Sequence, residues 1–240
     1  MTKGLAAGPF GNPNRYYNLR DYDNASGNLT VVNPKLWGAF ERPVSVYYCG
    51  YVYVCQARQH LPDEVGGVLW FGLDQPSTTC FVPFYAGATG LPRAYEYGAT
   101  ASFDRDFAFW VFNCVANLAC LKYCYMIEDI RAKQKELEEN AIELQREIEE
   151  RALELLEQDP KAASGYLTGR SATLADTVIS EWWNLFYFLL HKYSDGYVNT
   201  LKKRKQDGNI VNDPQEVGYP LWWRKKVGYA QGPTTYEKHK

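Results

Sequence analysis

The apolar and polar positions of this chain fall into three regimes. Over residues 44–57 nearly every position is apolar or tyrosine (V-S-V-Y-Y-C-G-Y-V-Y-V-C-Q-A), as expected of a strand covered on both faces. Leu61-Pro62-Asp63-Glu64 reads as a turn and residues 67–73 as a returning strand, so the two are expected to pair antiparallel. Residues 78–85 and 94–97 are shorter strand candidates, broken by Pro83 and Pro92, and Asp74-Gln75-Pro76-Ser77 has conventional turn chemistry. The period then changes. Ser102 or Asp104 can cap a helix starting near Arg105, with Phe109, Phe112, Val115, Ala116, Ala119 and Tyr123 at helical spacing.

From Ile127 the pattern tightens into a heptad seam: Ile127, Ile130, Gln134, Leu137, Ala141, Leu144 and Ile148 follow in alternating steps of three and four. The remaining faces are rich in Glu, Lys and Arg, which read as solvated. The helix is expected to stop before Pro160, and residues 127–158 would span about 48 Å. A seam of that length needs a partner. Residues 174–193 supply one, with Leu174, Val178, Trp182, Leu185, Phe186, Leu189 and Tyr193 on one face. An antiparallel helix pair within the chain is therefore expected in preference to a coiled-coil dimer. Ser194-Asp195-Gly196 breaks the second helix, and Lys202-Lys203-Arg204-Lys205 reads as a solvated helix end. The expected organisation is a single domain forming part of a larger unit. It comprises a loop-rich segment (residues 1–40), a sheet (41–100), helices (103–206) and an extended aromatic tail (207–240). The fold class is α+β, an antiparallel sheet followed by a long helical hairpin.

Composition narrows the chemistry. In 240 residues the chain has 46% hydrophobic and 22% charged residues and a formal net charge of -2. That balance gives no electrostatic case for nucleic acid or an anionic membrane. The greasiest run, W-W-N-L-F-Y-F-L-L at residues 182–190, is too short to span a bilayer. The aromatic content, 15% with 19 tyrosines and 7 tryptophans, suits an aromatic core and a tyrosine-rich sheet surface. The six cysteines (Cys49, Cys55, Cys80, Cys114, Cys120 and Cys124) form no C-x-x-C, and no histidine stands at metal spacing, so neither a metal nor another cofactor is expected. Free thiols fit a reducing compartment, and the cytoplasm is the expected location. No self-sufficient catalytic signature is present: there is no G-x-S-x-G, Walker A, H-E-x-x-H or G-x-G-x-x-G motif. Two arginines stand out. Arg15 lies in the irregular N-terminal run beside Asn12, and Arg58 closes the most apolar strand, where it needs a carboxylate, a carbonyl or a ligand.

Three segments together resemble one known family: the strand ending Gln56-Ala57-Arg58, the W-x-G-x-D and V-P-F-Y pieces over residues 70–85, and F-W-V-F-N-x-V-A-N-L-A over residues 109–119. With W-W-N-L-F at 182–186 and V-G-Y-P-L-W-W at 217–223, they are similar to the C-terminal half of the cysteine dipeptidases of the dipeptidase A and secernin type, members of the N-terminal-nucleophile hydrolases. The resemblance implies a four-layer αββα sandwich. It also implies an N-terminal cysteine that attacks the peptide carbonyl while its own α-amino group acts as base, with no metal. Dipeptides or short peptides would be the substrates. It places Asn12, Arg15 and Arg58 at or beside substrate: Arg15 would bind a carboxylate or the oxyanion, and Arg58 would have a supporting role. The nucleophile belongs to an N-terminal half, and no cysteine precedes Cys49, so the expected partner is that half or a further copy of the chain. The chain alone is expected to be inactive. An acyl-amide hydrolase of the same fold, or a non-catalytic module that pairs through its heptad helix, remains open on sequence alone.

Overall fold

The structure, a computed structural model, describes residues 44–216. The loop-rich start and the aromatic tail beyond Glu216 lie outside them. The first strand, β1 (Tyr51–Ala57), is followed by a one-turn helix α1 (Asp63–Gly66) where a turn was expected, then by β2 (Gly67–Leu73). A 3-10 turn (Pro76–Thr78) leads into β3 (Val82–Tyr85). The strands form one antiparallel sheet in the order β1-β2-β3, with Tyr51 opposite Leu73, Ala57 opposite Gly67, and Val68 opposite Tyr85. The candidate strand at 94–97 is instead a helical turn, α2 (Arg93–Glu96), which starts directly after Pro92.

Burial grades across this sheet. All four residues of β3 are buried against the helices, β2 is mixed, and β1 is open. Among the described residues the double-sided cover expected for residues 44–57 is absent: strand structure begins only at Tyr51, and Tyr51, Tyr53 and Val54 are 59%, 55% and 54% exposed. A continuous apolar run records that both faces favour burial. It does not say that this chain supplies both covers.

The helical region departs from a single long helix. α3 (Ala108–Ala119) ends in a corner at residues 120–122, and α4 (Tyr123–Gln158) follows. α3 begins three residues after Arg105, because Asp104 spends its carboxylate on the Asp106 amide (2.9 Å) within the loop rather than on a helix start. The backbone at Gly98 has φ +150°, and a Cβ there would lie 2.1 Å from the Phe107 ring; only glycine lets the two segments meet so closely. The corner between α3 and α4 is held by Lys122, whose Nζ donates to the Tyr193 carbonyl at 2.9 Å.

α4 runs 36 residues, about 54 Å. It turns back at Asp159 into α5 (Pro160–Lys192), which begins well before the expected Leu174. Asp159 accepts from the Lys161 amide at 2.9 Å and Pro160 occupies the first turn, a strong local helix start. The seam of α4 closes on α5 within the chain, as expected, burying Ile127, Ile130, Leu137, Ala141 and Ile148 with Leu167, Leu174, Val178, Trp182 and Leu189. Lys133–Glu181 (3.0 Å) and Lys192–Asp129 (2.7 Å) pin the end of the hairpin away from its turn. Ser194–Gly196 then breaks the helix, with Asp195 at φ 54°. The basic run that follows is no helix end. β5 (Lys202–Arg204) pairs with β6 (Ile210–Asn212), and β4 (Tyr197–Val198) pairs with β7 (Gln215–Glu216).

Candidate functional site

The sheet is tied to α4 by a second, polar stripe that runs beside the apolar seam. Gln134 Nε2 donates to the carbonyls of Thr79 and Ser77. One turn on, Glu138 accepts from the Phe81 amide at 3.0 Å, and burial pushes its carboxyl above the usual range. Gln145 Nε2 donates to Gln56 Oε1 at 3.3 Å, and Glu149 meets Arg58. Steps of four, seven and four keep these residues on one face. Read as sequence, Glu138, Gln145 and Glu149 belong to a solvated charged surface, because composition alone does not distinguish a polar side chain facing water from one facing backbone groups that need partners. The stripe also explains a polar residue in the seam: Gln134 satisfies the carbonyls of the β2–β3 connection.

Arg58 ends β1 at this stripe. Its Nη1 donates to Glu149 Oε2 at 2.7 Å while Nη2 lies 2.6 Å from Oε1, a fork-to-fork pair with side chains 17% and 13% exposed. Nη2 also donates to the Val65 carbonyl at 2.8 Å and Nε to Gly66 at 3.4 Å, which locks α1 under the strand end. Buried Tyr85 stands against the same carboxylate; burial, with the Glu149 charge beside it, pushes its phenol above the ordinary range. Replacing Glu149 by alanine strands this guanidinium and is expected to cost about 1.5–3 kcal/mol. Denaturant unfolding at neutral pH measures it, and Glu149→Gln should recover part of the loss.

At the opposite end of the sheet sits a group that sequence reading passed over as turn chemistry. Asp74 follows β2 with φ 64° and is 1% exposed. Its amide donates to the Gly50 carbonyl (2.9 Å), and Oδ1 receives a long bond from Asn113 Nδ2 on α3 (3.5 Å), but Oδ2 has no partner among the described residues. Burial pushes its carboxyl up to about 7, against the smaller opposing effect of the Asn113 contact. Gln75, Thr78 and Thr79 beside it are also buried with unpartnered side-chain atoms. The signal that could have found this residue is its place directly after an apolar strand in W-x-G-x-D. Gly72 in that motif admits Thr79, whose side chain would lie 2.7 Å from a Cβ at position 72.

Arg58 and Asp74 are thus at opposite ends of β2, roughly 20 Å apart by strand rise, and do not form one constellation. Asn12 and Arg15 lie outside the described residues. No disulfide joins any of the six cysteines. Burial pushes the thiols of Cys80, Cys114 and Cys124 upward, away from the thiolate, and Cys55 is exposed on β1. Cys80, Cys114 and Cys124 therefore lack the environment of an activated nucleophile. Among the described residues, no group of three or more His, Cys, Asp or Glu side chains is arranged to hold a metal ion, and no helix is long and apolar enough to cross a membrane.

Comparison with known proteins gives these elements a context. The model of peptidase family C69 matches residues 14–136, from before Arg15 through the sheet and into α4. Dipeptidase A of Lactobacillus helveticus is 27% identical over 82 residues, 34% of this chain and 17% of that protein. A probable dipeptidase B of Lactococcus lactis subsp. lactis (strain IL1403) is 26% identical over 87 residues, covering 36% and 18%. A probable dipeptidase of Latilactobacillus sakei is 31% identical over 81 residues, covering 34% and 16%. The matched stretch therefore spans less than a fifth of the length of each relative.

Proposed function

The chain belongs to peptidase family C69, and from that premise we propose that it forms the C-terminal portion of a cysteine-type dipeptidase. Its nucleophile is an N-terminal cysteine carried on polypeptide other than these residues. The match over residues 14–136 carries the reading. In the reaction proposed, that cysteine thiol attacks the peptide carbonyl carbon and its α-amino group takes the thiol proton. Collapse of the tetrahedral adduct expels the amine, which takes a proton as it leaves. Water then hydrolyses the thioester and frees the enzyme. Arg15 binds the substrate carboxylate or the developing oxyanion. Arg58, held by Glu149, fixes the end of β1 beside the substrate. Asn12, two residues before the matched region, lines the same pocket.

The open state of β1 supports this reading. Its outer edge carries no strand among the described residues, and Tyr51 and Tyr53 on one face and Val54 on the other are exposed among those residues. We propose that strands bearing the nucleophile complete a four-layer αββα sandwich there. The α4 seam argues against the helix-mediated interaction module, since α5 already occupies it.

The chain alone is expected to show no dipeptide hydrolysis, measured as amine release from Leu-Gly. When it is assembled with the N-terminal portion of a family member, hydrolysis is expected. Steady turnover by the chain alone, abolished by a Cys→Ala change within it, would refute the proposal. The isolated chain is also expected to self-associate through the open edge and face. In sedimentation velocity, Tyr53→Lys should raise the monomer fraction, and a parent that is already monomeric and monodisperse contradicts the expectation.

A further inference from the structure

A cleft of about 580 Å³ lies between α2, the loop before α3, and α5. Arg58 is not among its lining residues, and it opens on the helical side of the described residues rather than at the open sheet. Its charged lining is Arg93, Arg105, Asp106 and Asp176, and among the described residues no ion pair within 4.0 Å links any of these to an opposite charge. All four are exposed side chains. Arg105 is instead held over the Trp183 ring, 5.3 Å from its centroid, and Arg93 over Tyr97 at 5.5 Å. Stacking fixes each guanidinium's position while leaving its in-plane donors free for a carboxylate.

The charge pattern selects the ligand. A simple anion attracted by the two arginines meets two carboxylates, and a simple cation meets the reverse. A molecule with both signs a few bonds apart satisfies both. Trp183 and Ile179 supply apolar wall between the charged groups, and the volume is in the range of small-molecule sites. We propose that this cleft binds free dipeptides or short peptides by their two charged termini, the carboxylate on Arg93 and Arg105 and the ammonium on Asp106 and Asp176. It is a second peptide site, separate from the one where hydrolysis is proposed. The choice of peptide over other zwitterions rests on the peptidase reading above.

Calorimetric titration of the full chain with Leu-Gly tests this without requiring catalysis. Saturable binding is expected, and acetyl-Leu-Gly-amide, with both termini blocked, should bind at least tenfold more weakly. Arg105→Gln and Asp176→Asn should each weaken Leu-Gly at least fivefold. Both change exposed side chains, so circular dichroism should show the fold retained. Arg146→Gln, at an exposed site on α4, should leave binding unchanged. Equal binding of the blocked peptide, unchanged affinity in both cleft variants, or the same loss in Arg146→Gln overturns the assignment. The hydrolysis assay decides the peptidase reading separately, so the failure of one is distinguishable from the failure of the other.

Discussion

Truncating Trp182 to alanine is expected to lower stability by about 3–5 kcal/mol, among the largest effects of any single side chain here. Trp182 is fully buried on α5, its ring 5.5 Å from that of Phe112 on α3, and it belongs to the same core cluster as the residues of α4 and β3. The cavity left by an indole at a junction of three helices cannot close by the movement of one neighbour. For a chain of this size the loss corresponds to a fall in Tm of about 10 °C. Ile142→Ala, at a 57% exposed position on α4, should change stability by less than about 0.5 kcal/mol. The indole N–H of Trp182 has no acceptor among the described residues, so Trp182→Phe should cost much less than Trp182→Ala, because it removes an unsatisfied donor along with part of the ring volume. Equal losses for alanine at 182 and at 142 would show that the helices do not pack as described.

Asp74→Asn is expected to stabilise the protein, by an amount that depends on pH. Burial raises the folded-state carboxyl from 3.8 to about 7. Below the unfolded value both states hold the proton, and the ionisation penalty is absent. As pH rises from 3.8 towards 7 the unfolded chain releases its proton while the folded chain keeps it, so stability falls. The fall is complete above the folded value and amounts to about 4 kcal/mol. Asparagine carries no such penalty and tolerates the left-handed backbone at this position. Urea unfolding at pH 4, 6 and 8 should therefore show near-parity at pH 4 and a growing advantage for Asp74→Asn, which levels off above pH 7. Taking the difference between the two proteins removes other titrations, including that of Glu138, whose carboxyl is also raised. A constant difference across the three pH values would mean that Asp74 is solvated.

Much of the fold is legible in local pattern. Continuous apolar, β-branched and aromatic runs mark the pair at residues 51–57 and 67–73, and the heptad seam marks α4 and its packing on a neighbour, because side-chain period follows directly from backbone geometry. Boundaries are less legible. The corner at residues 120–122 is invisible in a helical pattern that runs straight through it, since its anchor, Lys122 on the Tyr193 carbonyl, comes from 71 residues away. The start of α5 at Pro160 was signalled by Asp159-Pro160, but residues 160–173 lack a broad apolar stripe and read as connection. For the basic run at 202–205, charge suggests solvent exposure and says nothing about whether the exposed backbone is helix or hairpin.

The candidate site divides in the same way. Arg58 was legible as a buried cation needing a partner, because a guanidinium closing an apolar strand cannot stay unpaired. That the partner is Glu149, on a stripe that also holds Gln134, Glu138 and Gln145, required the fold. Asp74 was illegible for the converse reason: aspartate in a turn is ordinary, and only packing by distant elements makes it a buried, half-satisfied acid. By itself, then, the sequence determined the main strand pair, the long helix pair and the family, all of which rest on short-range periodicity and on motifs read in order. The tertiary structure alone decided which polar groups lose their water. Desolvation depends on what other segments bring to a position, and no local spacing encodes that.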